Sequence, residues 1–165
     1  MIVIAAGSSL PFCGIDSQQL VLSAFSALGR IVHLSRVSPL YLSPAWPDPT
    51  DPQFVNGVAL VETDLSPEAV LAVMHAVEAG FGRKRGQKNA PRTLDLDLIA
   101  YREERRDGDQ GGLILPHPGV ESRDFVLAPL CDIAPDWVSP VSGQTALNLL
   151  KALPERTAQR ISSEN

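Results

Sequence analysis

Apolar residues recur at two spacings in this chain, and the switch between them marks out its elements. Met1 to Ala6 is one continuous apolar run, as in a strand buried on both faces. Gly7-Ser8-Ser9 breaks it and opens a loop through Pro11 and Gly14. Leu20, Val21, Ala24, Phe25 and Leu28 then repeat at helical spacing, with Asp16 or Ser17 placed to cap the helix and Gly29 to stop it. Ile31 to Leu42 is rich in β-branched residues and predicts one long second strand. Ser43 to Gln53 carries four prolines in eleven residues, which rules out a helix or an inner strand. Loops of this length in compact domains often bind ligands or act as lids. Phe54 to Glu62 predicts the third strand, with Phe54, Asn56, Val58 and Leu60 on one face. Asn56 is polar on an otherwise apolar face, so it needs a partner, either a structural bridge to a loop or a ligand.

Ser66-Pro67-Glu68 is a helix start, and Val70, Val73, Met74, Val77 and Phe81 form the stripe that follows, ending at Gly82. Glu78 in the last turn opposes the helix dipole and calls for a cationic partner from the loop that follows. His75, one turn earlier, reads as a surface histidine. A basic loop runs from Gly82 to Arg92 and is expected to move, and an acid-bearing strand then reaches Tyr101. Arg102 to Gly112 predicts an exposed turn, and Leu113 to Pro118 a short edge strand ended by prolines. Ser122 is placed to cap a helix from about Arg123 to Cys131, Pro135 to Gly143 is irregular, and Gln144 to Leu153 predicts a final helix. The order is β-α-β-β-α-β. It predicts an α+β, ferredoxin-like, mostly antiparallel sheet with helices packed on it, plus C-terminal additions. Residues 1–153 form a single domain in this reading, and 154–165 a polar tail with nothing to bury.

The chemistry concentrates in Lys88 to Ile99, KNAPRTLDLDLI. Strand side chains alternate, so Asp95 and Asp97 share one face while Leu94, Leu96 and Leu98 line the other. The two Cα atoms then lie about 7 Å apart. Carboxylates at that spacing can share a metal or hold two metals about 4 Å apart. An Asp-x-Asp alone is more often a solvated strand face. Here Arg83, Lys84, Arg85, Lys88 and Arg92 lie just upstream, with no acid between Arg83 and Arg92. Cations beside an acid pair point to a polyphosphate with bound magnesium. There is no Gly-x-x-x-x-Gly-Lys-Ser/Thr sequence, so ATP chemistry would not use a P-loop.

Composition narrows the classes. The chain has 165 residues, 44% of them hydrophobic, which suits one globular domain with a real core. A net charge of −5 argues against a general nucleic-acid binder. No apolar run approaches the roughly 18 residues needed to cross a bilayer. The MIVIAAGSS terminus has no basic region and reads as a buried strand rather than a signal peptide. Cys13 and Cys131 give neither a disulfide framework nor a metal spacing, so a reduced, cytoplasmic protein is expected.

These residues resemble the hydroxymethyl-dihydropterin pyrophosphokinase family of folate biosynthesis. Lys88 to Ile99 meets every position of its signature. The match extends in order through Gly7-Ser8, Tyr41 to Pro44, Phe54-Val55-Asn56, Glu78 with Phe81 to Arg85, Leu115-Pro116-His117 and Arg123 to Leu127. The resemblance implies transfer of pyrophosphate from ATP to the pterin hydroxymethyl group, with release of AMP. It implies two Mg2+ ions on Asp95 and Asp97, with Arg83, Arg92, Asp95 and Asp97 catalytic. It assigns ATP to Glu78, Arg83, Arg85, Arg92, Leu98, His117 and Arg123. It assigns the pterin to Gly7, Ser43, Pro44, Ala45, Phe54, Asn56, Asp95 and Phe125, with Phe54 and Phe125 sandwiching the ring. ATP and the pterin are the expected partners of a monomer that binds neither nucleic acid nor membrane. The chain departs from relatives at Phe54, often Tyr; at Gly86 and Asn89 in the basic loop; and at Gly112, Ile114 and Pro118, which bear on adenine and ribose contacts. A non-catalytic module that binds a nucleotide or metabolite is the alternative, motivated by Gly112 and Ile114.

Overall fold

The computed structural model describes residues 1–45, 48–83, 91–108 and 112–162. Its centre is an antiparallel sheet. Strand β1 (Ile2–Ser8) pairs on one side with β4 (Phe54–Glu62) and on the other with β5 (Asp95–Tyr101). Strands β2 (His33–Val37) and β3 (Tyr41–Ser43) lie one after the other along the far edge of β4. Treating β2 and β3 as one broken strand, the order is that of a split βαβ, ferredoxin-like sheet. The single long strand expected over 31–42 is therefore interrupted. Pro39 lacks a backbone donor, and the Ser38 hydroxyl takes the place of a ladder partner by accepting from Val58 N at 2.9 Å.

Helices cover both faces. Helices α1 (Ser17–Leu28) and α2 (Pro67–Gly80) lie on one. They begin as expected, with Asp16 capping α1 through Gln19 N at 2.9 Å, and Ser66 capping α2 ahead of Pro67. Their stripes, among them Val21, Phe25, Leu28, Val70 and Met74, bury Ile2, Ile4, Ala59, Val61, Leu96 and Leu98. Helices α3 (Asp124–Ile133) and α4 (Ala146–Ala152) lie on the other face, over Val3, Val58, Leu60, Ile99 and Ala100. The continuous apolar runs of β1 and β4 thus reflect burial on both sides.

The structure corrects three expectations. Ser122 does not cap α3: its hydroxyl donates to Gly119 O, and Arg123 occupies the cap position with no side-chain hydrogen bond. The stretch expected to be an exposed turn contributes β6 (Arg106–Asp107), which pairs with β7 (Ile114–Leu115) in a separate two-stranded sheet. The tail after Pro154 does have something to bury. It forms β8 (Gln159–Arg160) on the free edge of β3, and Ile161 packs on the core. Its polar residues hid this because an edge strand is held by backbone hydrogen bonds rather than by an apolar pattern. Among the described residues no helix is long and apolar enough to cross a membrane.

Met74 is fully buried between α2 and the sheet. Met74→Ala should lower the unfolding free energy by about 2–5 kcal/mol, read as a shift in urea midpoint at unchanged slope. A shift under a tenth of the wild-type midpoint would contradict this packing.

Candidate active site

The ends of β1, β4 and β5 nearest the 83–92 loop bring the candidate residues into one row. Gly7 pairs with Asn56 on one side and with Asp95 on the other; Tyr41 pairs with Asn56, and Ala5 with Asp97. Paired residues in an antiparallel sheet project to the same face, so Asn56, Asp95 and Asp97 all project on the side covered by α3. Leu96 and Leu98 point into the opposite core and anchor the acid-bearing strand. This bears out the alternation read from the sequence. It also puts the Leu98 side chain away from the carboxylates, leaving only its backbone on offer there.

Gly7 forms a floor. A Cβ there would meet Asn56 Oδ1 at 3.3 Å and Phe54 Cδ1 at 3.7 Å, so glycine leaves the space above the sheet open. Asn56 is buried and donates from Nδ2 to Ser43 Oγ at 2.9 Å and to Phe54 O at 3.3 Å. Its amide is therefore fixed by the protein, with Oδ1 turned towards Gly7. Ala45 is buried and Pro44 exposed. Phe54 and Phe125 are each half-buried, and the Arg123 guanidinium lies over the Phe125 ring, 5.7 Å from its centre.

Two arginines meet on one carboxylate. Arg83 bonds Asp95 Oδ1, and Arg92 Nη1 bonds Asp95 Oδ2 at 2.8 Å. Arg83 also pairs with Glu78, whose Oε1 accepts from Leu96 N at 2.7 Å. The cationic partner that Glu78 requires is therefore Arg83. Glu78 is buried, which raises its pKa, with the Leu96 amide and Arg83 pulling it back down. From this position Glu78 braces Arg83 and β5 from behind. Sequence reasoning missed Ser9 and Leu10. Their amides donate to Arg92 O at 3.0 and 3.2 Å, and Ser9 Oγ accepts from Arg92 N at 3.1 Å. The Gly7-Ser8-Ser9 break in the apolar run was the available signal. Gly82 adopts φ +73°, and a side chain there would run into the Phe12 ring. Arg85, Lys84, Gly86, Lys88 and Asn89 lie outside the described residues.

Asp97 has a different setting. Among the described residues it forms one ion pair, with Arg123 at 4.0 Å from Oδ2. Burial and then the neighbouring Asp95 charge raise its pKa above the ordinary 3.8, opposed by His117, Arg123 and Arg83. His117 is pushed down by burial, with Asp97 pulling it back up. A lowered pKa leaves it neutral near pH 7. Its Nδ1 accepts from Gly119 N at 3.1 Å, which places the ring proton on Nε2. His75 is exposed, as expected.

The family model described as 7,8-dihydro-6-hydroxymethylpterin-pyrophosphokinase (HPPK) matches residues 3–135. The chain belongs to this family. A pyrophosphokinase of that name from Synechocystis is 44% identical over 125 residues, covering 76% of this chain and 63% of its own. The Pseudomonas aeruginosa pyrophosphokinase is 36% identical over 162 residues, 97% of this chain and 96% of its own. A crystal structure of an HPPK-DHPS protein in complex with substrates superposes with a TM-score of 0.72 at 12% identity, over 96% of this chain and 47% of that one. The Plasmodium falciparum HPPK-DHPS with pteroate gives 0.69 at 13%, over 91% and 41%. The chain thus spans under two thirds of the Synechocystis relative, nearly all of the Pseudomonas one, and less than half of these two solved chains. At such low identity the structures speak to the fold alone, and they agree with the ferredoxin-like reading.

The raised pKa of Asp97 has a sign. The folded chain holds this proton more tightly than the unfolded one, so the group favours folding at low pH. That contribution is lost as pH rises from 3.8 towards the raised folded value. Asp97→Asn should therefore stabilise the metal-free chain at pH 7, with the gain shrinking as pH falls towards 3.8. Melting scans in chelator across that range test it. A destabilised Asn variant at pH 7 would mean the carboxylate is better paired than the structure shows.

Proposed function

We propose that the chain transfers pyrophosphate from ATP to the hydroxymethyl group of 6-hydroxymethyl-7,8-dihydropterin and releases AMP, in folate biosynthesis. The observation that carries this reading is the row Asn56–Gly7–Asp95 with two arginines closed on Asp95. It sets an open floor for a flat ring beside a group of charges suited to phosphates.

The chain's own residues divide the work. Gly7 leaves room for the ring, and Asn56 Oδ1 is held in place by the Asn56–Ser43 bond to accept from the ring edge. Phe54 and Phe125 flank it by offset stacking. Arg83 and Arg92 turn from Asp95 to the phosphate oxygens, where a planar guanidinium binds in pairs. Arg83 and Arg92 sit at the two ends of the basic loop, whose residues 84–90 lie outside the described ones. Arg123 and neutral His117, with its proton on Nε2, offer further donors on the ATP side. The hydroxyl oxygen attacks the β-phosphorus, the bond to the α-phosphate oxygen breaks, and the hydroxyl proton leaves to Asp97, Asp95 or solvent. Positioning and charge neutralisation supply most of the catalysis in such transfers.

Asp95 and Asp97 fit Mg2+. They are paired like charges, and among the described residues the cation paired with Asp97 stands off at 4.0 Å. Mg2+ needs only one or two carboxylates when the substrate supplies phosphates, and among the described residues no third His, Cys, Asp or Glu joins them. When bound, the ions would neutralise phosphate oxygens and lower the charge facing the attacking hydroxyl. In this reading the protein works as a cytoplasmic monomer.

Nucleotide analysis in the presence of the pterin tests the reaction. AMP is the expected product, and ADP or no turnover would sink the proposal. Arg92→Ala and Asp97→Ala should each lower kcat by about 10²–10³ in a chain that still melts cooperatively. Loss of folding in Asp97→Ala would make that acid structural.

A further inference from the structure

The C-terminal segment closes on a residue that lies between two site residues. Asp124, first in α3, stands between Arg123 and Phe125 and is 8% exposed. Its Oδ2 accepts three hydrogen bonds from the tail: from Thr157 N, from Ala158 N at 2.8 Å and from Thr157 Oγ1 at 3.2 Å. The tail then adds β8 to β3, opposite Tyr41 and Leu42, and Ile161 N donates to Leu40 O at 2.8 Å. Asp132, on the same helix as Asp124, accepts from the Tyr41 hydroxyl at 2.8 Å and lies 3.9 Å from Arg160. Burial, reinforced by Asp132, pushes the Tyr41 hydroxyl up to about 12, so it stays protonated as the donor.

The segment therefore ties together two separate walls. One is the start of α3, which carries Phe125 and Arg123. The other is β3, which carries Ser43 and through it the Asn56 amide. A carboxylate at a helix N-terminus would ordinarily be steadied by that helix's own amides. Asp124 Oδ2 is instead bonded to residues 33 and 34 positions away in sequence. That arrangement secures the angle at which α3 begins, and hence where the Phe125 ring and the Arg123 guanidinium sit above the sheet.

We propose that residues 157–161 form a strap that sets the width of the acceptor pocket, with Asp124 as its positioning residue. This rests on the pterin pocket described under Proposed function. The strap touches neither substrate in this scheme. It acts by holding Phe125 on the α3 side of the sheet, the side to which Asn56 projects, so its loss enlarges the pocket and weakens pterin binding more than it slows the bound complex.

The test uses the full chain, a chain ending at Pro154, and the variants Asp124→Ala, Asp124→Asn and Thr157→Val. Steady-state kinetics are followed by AMP release, and pterin binding by calorimetry with a non-hydrolysable ATP analogue and Mg2+. The truncated chain and Asp124→Ala should raise KM and Kd for the pterin about tenfold or more, as expected for losing several hydrogen bonds to a charged group, with kcat within about threefold. Asp124→Asn keeps an acceptor oxygen and should recover most of that loss, while Thr157→Val should show a smaller rise. An unchanged pterin Kd in Asp124→Ala, or a lower active fraction with KM intact, would overturn the proposal and leave the tail a stability element. Should the truncated chain fail to fold, the point variants decide. If the full chain makes no AMP, the pyrophosphokinase reading has failed, whereas an active full chain with unaltered variants fails the strap alone.

Discussion

The closure of Arg83 and Arg92 on the single carboxylate of Asp95 is the constraint on which the site depends. The two arginines are the two ends of the basic loop, and Asp95 opens β5. One acid thus fixes where the loop leaves the fold and where it returns. Each end is secured a second time. Arg83 is braced by Glu78, and the Arg92 backbone by Ser9 and Leu10. Charge logic supports the arrangement. A guanidinium held by a carboxylate is neutralised but not used up, because phosphate oxygens accept from the same donors at higher charge.

The two cores explain why the acid pair can be held rigidly. β5 is locked by Leu96 and Leu98 on the α1–α2 side and by Ile99 and Ala100 on the α3 side. The register shift between Val3 and Ile4 allows this, since Ile99 and Ala100 then face the same core. Leu96 N is secured by Glu78. With its backbone so tied, the strand can carry two like charges without splaying. Burial first, and the Asp95 charge second, raise the Asp97 pKa, and perturbed groups of this kind cluster at functional sites.

Where backbone and side chain told the same story, the sequence was legible. Phe54 to Glu62 and the cap at Ser66-Pro67 match the structure to the residue. Asp95 and Asp97 lie on one face as the alternation required. Glu78 was legible in part: its clash with the helix dipole announced a cation, but not that its carboxylate also holds the Leu96 amide. The misreadings differ in cause. Pro39 split a β-branched run that propensity alone joined. The tail lacked an apolar period because backbone pairing and the Asp124 carboxylate hold it. Ser9 and Leu10 act through their amides, which no side-chain pattern records. Long-range backbone partners are invisible to local periodicity, and three of the features that shape this site are of that kind.

The same distinction separates what is fixed in this chain from what is free to drift. Asp95, Asp97, Gly7 and Asn56 sit on strands, each between buried neighbours, whereas Arg83 and Arg92 sit outside the strands and are held by Asp95. The departures at Gly112, Ile114 and Pro118 fall on or beside β7, in a two-stranded sheet outside the main one. Ile114 there is 44% exposed, and its side chain has little packing to lose. His117, in the same stretch, behaves differently because its amide donates to Ile99 O at 2.8 Å and so hooks the turn to β5. In the proposed reaction, residues tied to the sheet would carry the phosphate chemistry, and the peripheral hairpin is where contacts to the rest of a nucleotide could be rewritten at little cost to the fold.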